Sequence, residues 1–589
     1  MSILPSRFLV SAAGLWLGLA GLLLSGPALA QGRIEPELER HLQSVQGDPL
    51  VPVVIRLRRS RPLRRVLRAD GRVDRRRLVR DMKDEAELSS RALRRLLRRH
   101  GIQREDDLWM LNGLATRVPA SLVDVIRRLP GVASVQLDYV LQVPREELRP
   151  PRDPEAPGVV RPQGGIGSRS LAAVSPLGLP TGGSPVEANL ALVGAPQLWN
   201  LGITGTGIVI GSLDSGVDAA HPDLATRFRG GTNSWYDPFG EHPVIPYDAT
   251  GHGTQAMGIM LGGDASGRFI GMAPDARWIA AKIFNDAGQA PISKIHLAYQ
   301  WMLDPDGNPA TNDAPDVVNN SWGFNSNIDQ CLTEFQPDIQ ALRNAGIAVV
   351  FSAGNQGPNS ATSISPANNN NAFAAGAVDN AMNIANFSSR GPSTCDGAVF
   401  PEVTAPGVSI KSSDLSFGGM ARYATVSGTS FAAPHVSGAI ALLRSAFPGK
   451  PLADIENALM LKARDLGVPG PDNLFGAGLI DVKASYDFLH CSGGTDTDGD
   501  GVPDICDNCT QLSNPQQIDT DQDGYGNRCD ADFNQNQVVD IGDIYSFIGM
   551  IGTNNANGDF NNNGVVDIGD IYAFIDLIGK PPGPSALVP

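Results

Sequence analysis

Ser430 stands in VSGTSFAAPHVSGAIALL, Val426 to Leu443, with small residues around it and an apolar run behind it. His252 lies between two glycines in DATGHGTQAMGIM. Asp214 closes the apolar run GIVIGSLD, and Asn355 follows GIAVVFSAG. Each residue alone has an ordinary reading: a small-residue helix, a capping histidine, a turn aspartate and a turn asparagine. Together they make a reaction. A serine hydroxyl is a weak nucleophile and needs a base beside it. A histidine supplies that base, and a buried carboxylate fixes its tautomer and steadies the imidazolium. A side-chain amide and the N–H of Ser430 can then donate to the oxyanion. The expected chemistry is acyl transfer to Ser430 and on to water.

Residues this far apart meet only on a scaffold. From about Glu187, short apolar runs alternate with helical segments: GIVIGSLD and then HGTQAMGIML, WIAAKIF and then Ile292–Met302, DVVNNSW and then Pro337–Ala345. This order predicts an α/β fold, a mainly parallel sheet with helices on both faces, whose functional groups gather at the carboxyl ends of the strands. A helix opening at Ser430 would turn its partial positive charge toward the oxyanion. Pro434 is expected in the first turn of that helix, where its missing N–H costs nothing. Ahead of this region, strands at Val51–Leu57 and Val132–Leu141, an extended Leu108–Val118, and helices at Asp84–His100 and Ala120–Leu129 suit a small α+β domain. Residues 144–186, rich in Pro, Gly and Ser, read as an exposed linker.

LDSGVDAAHPDL, GHGTQAMGI and GTSFAAPHVSGAIALL, in that order, with SAGNQG, resemble the signatures of the subtilisin (subtilase) family of serine peptidases. DAPDVVNNSWG and GMAPDARWIAAKIF resemble its bacillopeptidase F-like branch. The resemblance covers residues 187–486, within a peptidase domain expected over 187–490, and implies four roles. Asp214 orients, His252 is base and then acid, Ser430 attacks, and Asn355 stabilises the oxyanion. It also implies that Ser321, Trp322, Gly323 and Ser352, Ala353, Gly354 form the edges that bind a protein or peptide substrate. Gln255 departs from the family's usual histidine, which bears on local packing. MLNGLATRVPASLVDVIRRLPGVASVQLDYV resembles the family's inhibitory propeptide, expected over 31–143. The implied product is a secreted serine endopeptidase made as a self-cleaving precursor. The alternative is a calcium-dependent surface adhesion or binding protein whose protease domain is secondary or silent.

Four acidic segments follow Cys491 with one spacing. They carry Asp496, Asp498, Asp500, Asp504 and Asp507; Asp519, Asp521, Asp523, Asn527 and Asp530; Asp532, Asn534, Asn536, Asp540 and Asp543; and Asp559, Asn561, Asn563, Asp567 and Asp570. Oxygen donors at loop positions 1, 3, 5, 9 and 12 suit calcium, a hard cation. Gly501, Gly524 and Gly564 hold position 6, where Gln537 departs. Residues 491–531 resemble thrombospondin type 3 repeats. Residues 532–580 resemble a dockerin, which implies a cohesin-like or cell-surface partner, and 581–589 form a tail. A calcium-stiffened module packing on itself is the plainer reading of this region.

The 589-residue chain carries a formal charge of −15, yet well over half of its 47 basic residues precede Arg161. Docking of that basic part onto the acidic remainder is expected. No aromatics interleave its arginines, which argues against a nucleic-acid surface. Residues 1–30 have the form of a secretory leader, with Arg7, an apolar core and Ala28-Leu29-Ala30. No later segment is apolar enough to span a membrane, so the mature protein is expected outside the cytoplasm. Six cysteines suit that compartment. Sequence does not fix connectivity; the expected pairs are Cys331–Cys395, Cys491–Cys506 and Cys509–Cys529.

Overall fold

The computed structural model describes residues 31–60, 66–67, 73–142, 184–417, 420–520, 523–561 and 563–587. The expected leader, most of the expected linker and Asp521 lie outside the described residues.

The N-terminal body holds strands β1 (Arg33–Ile34), β2 (Leu50–Leu57), β3 (Glu105–Leu108), β4 (Gly113–Pro119) and β5 (Val132–Leu137), in the order β1-β5-β2-β4-β3. Helices α1 (Pro36–Ser44), α2 (Arg75–Arg99) and α3 (Leu122–Arg127) complete it. The extended run expected at Leu108–Val118 is two strands, β3 and β4, paired antiparallel. Helix α2 starts nine residues before the expected Asp84 and is capped by the Asp74 side chain, which accepts from Arg77 N. Arginines hide its apolar positions in the sequence. Leu93 and Leu97 pack in the body's own core, whereas Leu78, Val79 and Met82 share a core with the second body. The strand expected at Val132–Leu141 also divides. Its end, β6 (Val140–Gln142), leaves the sheet and pairs antiparallel with β10 (Gln289–Pro291) of the second body.

The second body is the expected α/β unit. Seven parallel strands run in the order β14-β13-β12-β11-β7-β9-β8. They are β7 (Val209–Asp214), β8 (Trp235–Tyr236), β9 (Arg277–Lys282), β11 (Val317–Asn320), β12 (Ala348–Ser352), β13 (Phe373–Val378) and β14 (Val403–Pro406). A hairpin, β15 (Ile410–Phe417) and β16 (Met420–Val426), follows. The helices are α4 (Ala188–Leu192), α5 (Ala195–Asn200), α6 (Pro222–Ala225), α7 (His252–Leu261), α8 (Ile292–Leu303), α9 (Gln336–Asn344), α10 (Thr429–Ala446), α11 (Leu452–Leu461) and α12 (Val482–Cys491). Strand side chains alternate between two cores, as the two-residue repeat requires. Val317, Ala348 and Val350 meet α7 and α10 on one face. Val318, Val349 and Phe351 meet α8 and α9 on the other. Burial on both faces explains why these strands read as continuous apolar runs.

All three expected disulfides are present. Cys331–Cys395 joins residues 64 apart in sequence and ties the segment before α9 to the one before β14. In the loop-entropy account, closing a loop of that length contributes about 4 kcal/mol. Replacing both cysteines with serine should lower the second body's chemical-denaturation midpoint accordingly, and an unchanged midpoint would refute the estimate.

Beyond Cys491, α13 (Ile541–Met550) and α14 (Ile568–Leu577) pack through Phe547 and Phe574, whose rings stack 4.4 Å apart beside Phe533 and Phe560. Their outer faces leave Ile541, Tyr545 and Ile548, and likewise Ile568, Tyr572 and Ile575, each more than half exposed.

Candidate active site

Asp214, the last residue of β7, is 2% exposed, and its Oδ1 lies 2.8 Å from Nδ1 of His252, the first residue of α7. Gly253 makes this approach possible. A Cβ there would sit 2.1 Å from the Gly216 carbonyl oxygen and 3.1 Å from Asp214 Cβ. Two residues outside the expected set hold the turn. The buried Asp248 accepts from the hydroxyls of Ser215 and Thr254 and from the N–H groups of Thr250, Gly251 and Thr254. Ser215 Oγ in turn accepts from Gly253 N at 2.9 Å. The only signal for Asp248 is its place four residues before His252 in DATGH.

Ser430 is the second residue of α10, whose N-cap Gly428 has a φ of 153°. The hydroxyl donates to the Ser321 carbonyl at 3.3 Å. Pro434 departs from expectation. It lies inside the helix, past the first turn. Lacking an N–H, it leaves unused the carbonyl four residues back, which belongs to Ser430. Ser321 Oγ takes that carbonyl at 2.7 Å. Thr429 is a further residue the sequence did not mark. Its N–H and hydroxyl both donate to Asn355 Oδ1 at 2.9 Å. With its oxygen engaged, the amide N–H₂ of Asn355 is left as a donor at the cavity.

One cavity brings these groups together: Asp214, His252, Ser430 and Asn355 line it with Ser321, Trp322, Gly323, Ser352 and Gly354. Ala353 does not line it. Ala353 is fully buried, and its N–H bonds the Ala375 carbonyl of β13 at 3.0 Å. Trp322 is mostly core, 7% exposed and edge-on to Phe335 and Phe351. Gln255 donates to Asp414 Oδ1 at 3.2 Å and so fixes hairpin β15–β16 beside α7. Leu141 and Gln142 of β6 line the same cavity.

The N-terminal body is anchored around this cavity. Asp138 accepts from Ser293 N at 3.0 Å and from Ser293 Oγ at 2.7 Å, at the start of α8. Arg56 and Gln136 donate to the Glu334 carboxylate at 2.5 and 2.8 Å. His296, fully buried, bridges Glu334 and Asp338 at 2.8 Å each. Burial would push His296 down, but the two carboxylates outweigh it and bring it up to about 9. Burial would push Glu334 up, but Arg56 and His296 hold it at about 2. Most of α2's arginines, Arg76, Arg80, Arg95 and Arg99 among them, are exposed instead of docked.

In the acidic tail, oxygens of Asp496, Asp498 and Asp500 lie within 4.8 Å of one another. Asp498 Oδ2 and Asp507 Oδ2 are buried without a hydrogen-bond partner, which fits a cation there. Asp504 turns away, accepting from Thr495 and Thr497. The loops repeat one geometry. The position-6 N–H of Gly501, Gly524, Gln537 and Gly564 donates to the first aspartate, namely Asp496, Asp519, Asp532 and Asp559. In the last two loops, Asp543 and Asp570 reach back to Asn534 N and Asn561 N. Gln537 carries a left-handed φ of 72° that glycine adopts freely. Gln537→Gly should therefore stabilise the tail by about 1 kcal/mol, read as a higher melting midpoint; a lower midpoint would refute it.

Residues 205–478 match the model of a family described as the subtilase family. The chain is 38% identical over 321 residues to bacillopeptidase F of Bacillus subtilis (strain 168), which covers 50% of this chain and 22% of that protein. It is 33% identical over 301 residues to subtilisin BL of Lederbergia lenta, covering 51% of this chain and 98% of that protein. Alkaline protease of Alkalihalobacillus alcalophilus is also 33% identical, over 70% of its length. This chain thus spans under a quarter of bacillopeptidase F but nearly all of subtilisin BL.

Proposed function

Because the chain belongs to the subtilase family of serine endopeptidases, we propose that it hydrolyses protein or peptide substrates through Ser430, His252 and Asp214. The observation that carries this reading is the 2.8 Å contact of His252 with buried Asp214, in one cavity with Ser430 and Asn355. His252 takes the Ser430 proton as the hydroxyl attacks the scissile carbonyl, and Asp214 steadies the imidazolium. The oxyanion is met by the amide of Asn355 and the N–H of Ser430 at the start of α10. His252 then protonates the leaving amine, and water resolves the acyl-enzyme by the reverse path. Ser321, Trp322, Gly323, Ser352 and Gly354 supply the substrate edges. A fluorophosphonate probe should label the matured chain at Ser430. A folded, matured chain that stays unlabelled would overturn the reading.

The N-terminal body acts as an inhibitory propeptide in this reading. Pairing of β6 with β10 lays Leu141 and Gln142 along the cavity that a substrate would enter, so residues 31–143 block the site until cut and shed. Its hold depends on pH. Arg56 and Gln136 of the docked body, together with His296 of the second body, keep Glu334 at about 2, below the ordinary carboxylate value of about 4.3. The contribution is therefore present above the ordinary value and is lost as pH falls toward about 2. Release of the cut body should speed up across that acid window, and Glu334→Gln should flatten the dependence. Release that ignores pH in the parent chain would rule this out.

Residues 1–30 read as a leader for export, and three disulfides suit an oxidising compartment. No helix among the described residues is long and apolar enough to cross a membrane. Calcium held by Asp496, Asp498, Asp500 and Asp507 would stiffen the tail. The exposed stripes of α13 and α14 favour a second role as a docking module for a cohesin-like or surface partner.

A further inference from the structure

Strand β9 ends beside Asp214 with a cation out of water. Lys282 pairs in register with Asp214 of β7, and its side chain is fully buried. The ammonium turns back along its own chain. Nζ donates to the Phe284 carbonyl at 2.5 Å and lies 3.1 Å from Asp286 Oδ1 and 4.0 Å from Glu241 Oε2. Asp286 is held from two further sides. Its N–H donates to Glu241 Oε2 at 2.9 Å, and its Oδ2 lies 2.9 Å from His242 Nε2. The His242 ring stacks on Tyr247 at 3.9 Å. The Tyr247 carbonyl closes against Gly216, where a Cβ would meet it at 1.9 Å. Ser215, next to Gly216, lines the cavity, and so does Phe284.

Packing alone calls for no charge at this position. A methionine of similar length would fill the space without the cost of stripping water from an ammonium. What the ammonium adds is direction. Pairing with β7 extends as far as Ile283, whose N–H donates to the Asp214 carbonyl at 2.8 Å. One residue later Lys282 takes the Phe284 carbonyl, so the backbone that carries the Phe284 ring is fixed from inside the sheet. Asp286 and the loop 241–247 brace it from outside. An extended chain already lies beside that ring. Leu141 of β6 lines the cavity with Phe284 and packs against the apolar cluster to which Phe284 belongs. We propose that Lys282 is a positioning residue, which sets the Phe284 wall and through it the register in which an extended substrate meets Ser430. The proposal rests on the acyl-transfer reading above. Lys282 touches no reacting atom, and its influence reaches only substrates long enough to lie against Phe284.

The matured enzyme tests this when assayed on an extended peptide and on 4-nitrophenyl acetate, with rates counted per fluorophosphonate-titrated site. The acetyl ester covers only the reacting atoms. Lys282→Met should lower kcat/KM for the peptide about ten- to hundredfold relative to the ester, the scale of a small misplacement. A purely structural loss would lower both together, so equal losses, or none, would overturn the proposal. Asp286→Ala, at a half-exposed carboxylate, provides a second measurement should Lys282→Met fold poorly. It should shift the same ratio in the same direction, and an unmoved ratio would count equally against the role. Phe284→Ala checks the route. In that background Lys282→Met should move the ratio no further, because the ring it positions is gone; a full second loss would show that Lys282 does not act through Phe284. Failure of the acyl-transfer reading has a separate signature, a folded, matured parent that hydrolyses neither compound.

Discussion

Exchange of Ser430 for alanine should yield a full-length precursor that neither matures nor takes a fluorophosphonate label. In the proposed mechanism the Ser430 hydroxyl forms the acyl bond. Ser321 and Thr429 have hydroxyls nearby, but the first is committed to the Ser430 carbonyl and the second to Asn355. Residual turnover on a peptide should fall by about a millionfold, a magnitude recorded for subtilisin itself and not obtained from this chain. The double variant Ser430→Ala, His252→Ala should be scarcely worse than either single change, since the two groups act as one unit. Full-length chain that still processes at the parent rate would show that another nucleophile does the work.

Asn355→Leu should cut kcat by about a hundred- to thousandfold with KM little changed. That range again comes from the subtilisin precedent. In the proposed mechanism the amide donates to an oxygen whose charge grows only as the tetrahedral intermediate forms, so its loss would be felt in the barrier and not in ground-state binding. Thr429 makes the test sharper. Because its N–H and hydroxyl hold the Asn355 carbonyl, Asn355→Asp keeps that anchoring while removing the donor. Both variants should lose turnover together. An aspartate variant with parent activity would assign oxyanion binding elsewhere.

The four candidate residues of the site are legible because each sits in a short stretch whose composition has a local cause. Asp214 ends a buried strand, His252 is pinned between glycines that allow close approach, and Ser430 opens a helix of small residues. What holds them is not legible. Asp248 gathers hydroxyl and N–H groups from Ser215 and from residues 250–254, and that geometry has no period. The place of Pro434 escapes for the same reason, since it is explained by Ser321, more than a hundred residues earlier. In the N-terminal body, the first two turns of α2 escape because their apolar side chains face the other body, among arginines that mask the stripe. Strand β6 reads in sequence as a continuation of β5, because its pairing partner lies near residue 290. The two cores of the sheet, by contrast, are legible as continuous apolar runs, and burial on both faces is the reason.

The proline in α10 has one more consequence. By withholding a rung from the helix, it leaves the Ser430 carbonyl free to accept from Ser321 Oγ. In the proposed mechanism, one hydrogen bond would thus join the substrate edge to the attacking residue, so that a shift of either is felt by the other.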